Sequence, residues 1–276
     1  MFYWIYDYPA WAIGLLFATV FVAVAWTGTL LARKTVHSWV HREPRANEMV
    51  GFALSSFFVL YGLLLGLLAV AAYQNFSTVS DIVDKEASSL AALDRDFSSY
   101  PEPIREHLLD ALREYVRYTI EDGWPQQRAG IVPKGGSQRI TALSKVLFAF
   151  EPVTKAEEIK HAEALRQFNH LIEMRRSRLA NVTMGLPSVL WWVLAFGSLL
   201  SIMLIWLLDM EIHVHLILGG ALAAFLGIVV FLIAELDNPF RGKLAVGPDS
   251  IELVYESLMA PEASSPPDPA YPNTAK

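Results

Sequence analysis

The sequence has no cysteine among its 276 residues. Disulfides, thiolate metal sites and cysteine nucleophiles are therefore all excluded. It also lacks a Gly-rich phosphate loop, a metal-ligand cluster and a nucleophile elbow, so an enzyme is the weakest reading and no cofactor is expected. No basic stripe runs through it, and the net charge of -6 is spread along the chain, so nucleic acid is not an expected partner. The start carries no basic region with a small-residue cleavage site, and the first apolar stretch is expected to persist as a membrane span. What dominates is apolar: 54% hydrophobic residues and a mean hydropathy of +0.35, the composition of an integral membrane protein with a sizeable soluble part.

Two further absences locate the central element. No proline lies between Pro44 and Pro101, and no charge between Gly51 and Tyr73. These predict one helix over residues 49–97, whose first half is apolar enough to cross a bilayer. Its second half turns polar, yet Gly51, Ser55, Phe58, Gly62, Leu65, Ala69, Ala72, Phe76, Val79, Val83, Glu86, Leu90, Leu93 and Phe97 keep stepping by four and three. That is the 3.5-residue seam of helices packed about a common axis. Gly62 and Gly66 form a GxxxG pair that admits close backbone approach. Such a rod is roughly 70 Å long, about twice what a hydrocarbon core needs. Either it carries one packing surface from lipid into water, or a membrane helix is followed by a soluble helix packed into its own bundle.

The remaining chain predicts an all-α membrane protein. Four transmembrane helices are expected, at about 10–32, 50–73, 186–208 and 214–234, with a helical soluble domain over 74–182 inserted between the second and third. The domains are then 1–73, 74–182, 183–240 and a tail over 241–276, disordered from about 260, where proline accumulates. An aromatic lead (Phe2, Tyr3, Trp4, Tyr6, Tyr8) suits a membrane interface. In the soluble part, Ile104, Leu108, Leu112, Tyr115 and Thr119 make one inner face, Ile140, Leu143, Leu147 and Phe150 another, and Ile159, Ala162, Leu165, Phe168, Leu171 or Ile172, and Leu179 a third. Gly123-Trp124-Pro125 reads as a helix stop and Thr154–Glu157 as a capping box. His37 and His41 read as interfacial side chains rather than metal ligands. Glu211, His213 and His215 read as a solvated turn, because residues two apart do not share a helical face. No metal site is expected.

Two stretches resemble the bestrophin-like family. One is the run Gly51 to Gly66 with Glu86-Ala-Ser-Ser-Leu after it; the other is Asp237-Asn238-Pro239-Phe240-Arg241-Gly242, with Val246 and Pro248 following. The resemblance implies a homo-oligomeric ion channel with the second span nearest a central pore, passing chloride or another anion. Its partners would be membrane lipid, inorganic ions and further copies of itself, in a bacterial inner membrane. Bestrophins follow the tail motif with an acidic run that clasps calcium. Here Arg241-Gly-Lys243 stands in its place, so a hard cation would lack its oxygen ligands.

If the seam faces an axis, Phe58 and Leu65 form apolar rings that gate by dewetting, and Ser55, Gly62 and Ala69 leave space between them. Asn75 and Thr78 offer neutral hydrogen bonds. Glu86 would favour cations unless Arg113 or Arg117 pairs with it. The alternative is a non-conducting scaffold or signalling protein whose helical domain binds a partner. Lysine and arginine divide on orientation: Arg33 and Lys34 pull one way, Arg175, Arg176, Arg178, Arg241 and Lys243 the other. The family likeness favours both termini and the soluble domain on the cytoplasmic side.

Overall fold

Long apolar runs and good helix formers leave the backbone little alternative to helix. The computed structural model describes residue 6, residues 8–42 and residues 45–259, the side chains of 40–42 excepted. Most of the aromatic lead, the side chain of His41 and the tail from 260 lie outside the described residues. The helices are α1 (Ala10–Arg42), α2 (Ala46–Phe97), α3 (Ile104–Tyr118), α4 (Trp124–Arg128), α5 (Gly135–Phe148), α6 (Lys155–Asn181), α7 (Ser188–Trp206), α8 (Ile212–Leu236) and α9 (Asp249–Val254). Among the described residues there is no strand.

Four of these helices are long and apolar enough to cross a membrane: α1, α2, α7 and α8. Two boundaries differ from expectation. The first helix runs on past Arg33-Lys34 to Arg42, because charge ends an apolar run without ending a helix, and both residues are good helix formers. The expected stop at Gly123-Trp124-Pro125 is instead a passage. Thr119–Gly123 forms a wide π turn, in which the Trp124 N–H reaches back to the Thr119 carbonyl, and α4 follows directly with its proline in the first turn. The wide turn relieves the clash a proline ring would make inside a regular helix.

The chain divides into two compact units. One comprises Met1–Ser80 with Ala180–Val246, the other Asp81–Leu179 with Gly247–Lys276. In the first, α1 lies along α8 and also packs on α7. Tyr61, Leu65, Leu68, Leu194, Leu226, Val230 and Ile233 form its largest buried cluster. Indoles tie these helices through backbone carbonyls: Trp26 Nε1 donates to Leu216 O at 2.9 Å and Trp206 Nε1 to Ala25 O at 3.1 Å.

In the second unit, the end of α2 is enclosed by its neighbours. Leu90, Leu93, Phe97, Leu108, Leu112, Tyr115, Leu143, Leu147 and Phe168 are all at or below 1% exposed. The faces expected for α3 and α5 are the buried ones, apart from Ile104 and Phe150, which are half-buried. On α6 the buried stripe is Ala164, Phe168, Leu171 and Arg178, while Ile159 is exposed. The capping box is made: Glu157 N–H donates to Thr154 Oγ1 at 3.2 Å, and Val153 and Thr154 N–H donate to Glu157 Oε2 at 2.8 and 3.0 Å.

Candidate functional site

One side chain sets the rotation of α2 in its membrane half. Tyr61 donates its hydroxyl to Leu194 O at 2.7 Å and meets Ser198 Oγ at 2.9 Å. Its ring lies over Gly197, where a Cβ would come within 2.1 Å of it. With Tyr61 turned inward, Leu54, Leu65 and Leu68 are buried beside it. Ser55, Gly62 and Gly66 then point away, and nothing lies within 4 Å of a Cβ built on Gly51, Gly62 or Gly66.

The inward stripe and the 3.5-residue seam are therefore different lines. Near the start of α2 the buried residues fall one position before the seam, at Leu54 rather than Ser55 and at Tyr61 rather than Gly62. The two lines share Leu65 and Ala72 and run together from Val79, where Val79, Val83, Glu86, Leu90, Leu93 and Phe97 are all enclosed. A helix of 3.6 residues per turn drifts about 20° per heptad against a 3.5 repeat, so Ser55 and Glu86 differ by roughly 90°. Ser55, Gly62 and Thr78 are exposed; Phe58, Ala69 and Asn75 are half-buried. Leu65, at 7% exposure, and Glu86, at 0%, are enclosed within the chain itself, and neither is free to line an axis.

Glu86 is instead the centre of a buried ionic cluster. Arg178 Nε donates to Glu86 Oε2 at 2.6 Å and Nη2 to Oε1 at 2.9 Å. Nη1 donates to Gln127 Oε1 at 2.7 Å, and Tyr115 gives its hydroxyl proton to Glu86 Oε1 at 2.9 Å. Trp124 faces the guanidinium, 5.1 Å from its carbon to the ring centre. Burial alone would pull the Arg178 pKa down, but the Glu86 charge and hydrogen bonds, with Tyr115, carry it above the ordinary arginine value. Burial, then the Glu86 charge, push the Tyr115 phenol up. Arg178 is therefore held in its charged form. The arginines first considered as partners are engaged elsewhere: Arg113 with Asp110 at 3.2 Å, Arg117 with the Tyr255 hydroxyl at 3.3 Å.

The tail motif closes the first unit. Asp237 Oδ1 accepts the Leu186 N–H at 2.5 Å and Oδ2 the Trp191 indole at 3.3 Å, fixing the approach to α7. Burial raises the Asp237 pKa, and the Leu186 bond opposes it. Asn238 Nδ2 donates to the Tyr6 hydroxyl at 2.8 Å, which donates to Ala234 O at 2.8 Å. Val246 N–H closes on Pro239 O at 2.8 Å, and Phe240 is 1% exposed. Gly242 turns the chain at φ +86°, and a Cβ there would meet Glu235 Oε1 at 2.7 Å. The motif is a braced helix end.

The histidines serve as struts. His37 Nδ1 pairs with Asp209 Oδ2 at 3.0 Å, and Asn47 exchanges two bonds with the Asp209 backbone at 3.1 and 2.9 Å. His215 is not in a solvated turn. It is 4% exposed, and its Nε2 donates to Ile205 O at 2.9 Å. Among the described residues no group of three His, Asp or Glu side chains is placed to hold a metal ion.

A family model described as the Bestrophin-like domain matches residues 19–251. The chain belongs to the bestrophin-like family. This bestrophin-like protein also shares its fold with solved structures of a bacterial bestrophin homologue from Klebsiella pneumoniae. A point-substituted form aligns with a TM-score of 0.59 at 12% identity, over 89% of this chain and 97% of that one. A form solved by zinc phasing aligns with a TM-score of 0.58 at 13% identity, over 88% and 96%. None of the curated proteins compared with this bestrophin-like chain matches it.

Proposed function

We propose that this membrane protein is a homo-oligomeric ion channel in which the membrane half of α2 stands nearest a shared axis. The observation that carries the reading is the bare outward face of α2. Gly51, Gly62 and Gly66 have open space above them, although the helix around them is apolar and GxxxG pairs ordinarily seat another helix. Copies of the chain around an axis would shield that face from lipid and leave Ser55, Phe58, Gly62 and Ala69 along a lumen, with Asn75 and Thr78 further out. Phe58 supplies the apolar constriction that gates by dewetting.

Glu86, bound to Arg178, no longer weighs toward cations, so we favour anions such as chloride. Ser55 Oγ donates to Gly51 O at 2.9 Å and Thr78 Oγ1 to Gln74 O at 2.8 Å, which leaves Asn75 the free neutral donor of the set. The protein sits in the bacterial inner membrane, with both termini and the helical soluble domain, residues 74–182, on the cytoplasmic side. A reporter fused after residue 276 that is active only in the periplasm would refute that orientation. Reversal potentials in planar bilayers across a chloride gradient test the channel. They should follow chloride, and a purified oligomer silent under every gradient would leave a non-conducting scaffold.

A further inference from the structure

A groove of about 660 Å³ opens between α1, α7 and the end of α8, in the unit that carries the other candidate spans. Its walls are apolar apart from Ser198, whose hydroxyl meets that of Tyr61: Leu16 and Val20 line it on α1, Ala195 and Leu199 on α7. Polar groups gather at one end, where Tyr6, Asp237 and Asn238 meet Trp191. From Trp191 to Ile202 the lining stretch of α7 is about 16 Å long. Half the thickness of a hydrocarbon core is about 15 Å.

We infer that this groove holds one phospholipid, its acyl chain lying along α7 and an ammonium-bearing headgroup at the Asp237 end. A second copy of the chain would not call for this polarity. A helix face bound by another helix needs no cluster of hydrogen-bonding groups confined to a span terminus, whereas an amphiphile in one leaflet has that distribution. The volume lies in the ordinary range for a bound small molecule, and the length is that of a single leaflet. The headgroup follows from Asp237. Among the described residues, its Oδ2 accepts only the long Trp191 bond and a marginal 3.5 Å contact from Asn238, so a carboxylate oxygen with weak partners lines the polar end. The lipid would act as a wedge, filling a gap between helices that the protein's own side chains leave open.

The test is native mass spectrometry of the purified full chain, released from nanodiscs of palmitoyl-oleoyl phosphatidylethanolamine or phosphatidylglycerol. The native protein is expected to retain at least threefold more phosphatidylethanolamine than phosphatidylglycerol. Ala195→Trp and, from the opposite wall, Leu16→Trp should each cut retention at least fivefold. Melting temperatures taken alongside separate groove filling from misfolding, and two walls guard against either variant failing to fold. Equal retention of both lipids overturns the headgroup, and unchanged retention in two folded variants overturns the groove. A folded Trp variant that loses oligomeric mass while keeping its lipid would assign the groove to a second copy and overturn the inference.

Discussion

The Glu86–Arg178 pair makes the sharpest prediction. Changing Glu86 to Gln keeps the shape and one acceptor oxygen but removes the charge opposite an arginine that is 1% exposed. Arg178 stays protonated, because its surroundings hold its pKa above the ordinary value. Breaking a buried pair by removing one partner costs about 3–5 kcal/mol, since the remaining charge is stranded away from water. At roughly 2–4 °C per kcal/mol, melting should fall on the order of 10 °C. Replacing both members, Glu86→Leu with Arg178→Met, removes the stranded charge. It should recover more than half of the loss, short of full recovery because the Tyr115 hydroxyl and Gln127 lose partners. Thermal unfolding of the purified variants in one detergent measures all of this. A Glu86→Gln protein that melts within a degree of the native one and changes its ion preference would refute the reasoning, because the carboxylate would then have to face ions.

Further predictions rest on single contacts. Gly197→Ala drives a methyl group into the Tyr61 ring and should destabilise by about 1–3 kcal/mol in the same melting assay. Gly62→Leu meets open space and should leave the isolated subunit's melting unchanged while altering oligomer mass or conductance; unaltered assembly and conductance would remove that face from the axis. Gly242→Ala combines a left-handed backbone with a contact against Glu235, and should cost about 1–2 kcal/mol. The Glu157 pKa is lowered, first by the Val153 and Thr154 backbone bonds. A lowered carboxylate contributes stability that is complete above its unfolded value near 4.3 and is lost as pH falls through its folded value. Amide protection at the start of α6, measured against the intrinsic exchange rate at each pH, should therefore fall below about pH 4, and Glu157→Gln should flatten that dependence.

The membrane helices were legible because a run without charge has one destination, and the inner faces of α3 and α5 because their apolar residues recur at helical spacing. Three features escaped for physical reasons. Arg178 occupies a core position on α6, and a reading that sends charge to solvent places Ile159 inside instead; the signal available was an arginine seven residues beyond Leu171 on the stripe through Phe168. The seam of α2 is real as a pattern, but heptad spacing says nothing about the quarter turn that separates its ends. Asn47 gave no signal, since an asparagine clamping a backbone 162 positions away has no local motif. The candidate lumen was legible in its small residues and not in its limits, because whether Leu65 faces inward depends on Tyr61 finding Leu194.

The wide turn at Thr119–Gly123 does more than let a proline pass. It lodges one extra residue in the helical register, and that residue sets the compass bearing of everything after it. Were the turn shortened by a single position, the side chain of Gln127 would swing through about 100°. The guanidinium would then keep its carboxylate but lose its third anchor. Loss or gain of one residue here would thus do more harm than most replacements nearby, so this short segment should tolerate changes of spelling and resist changes of length.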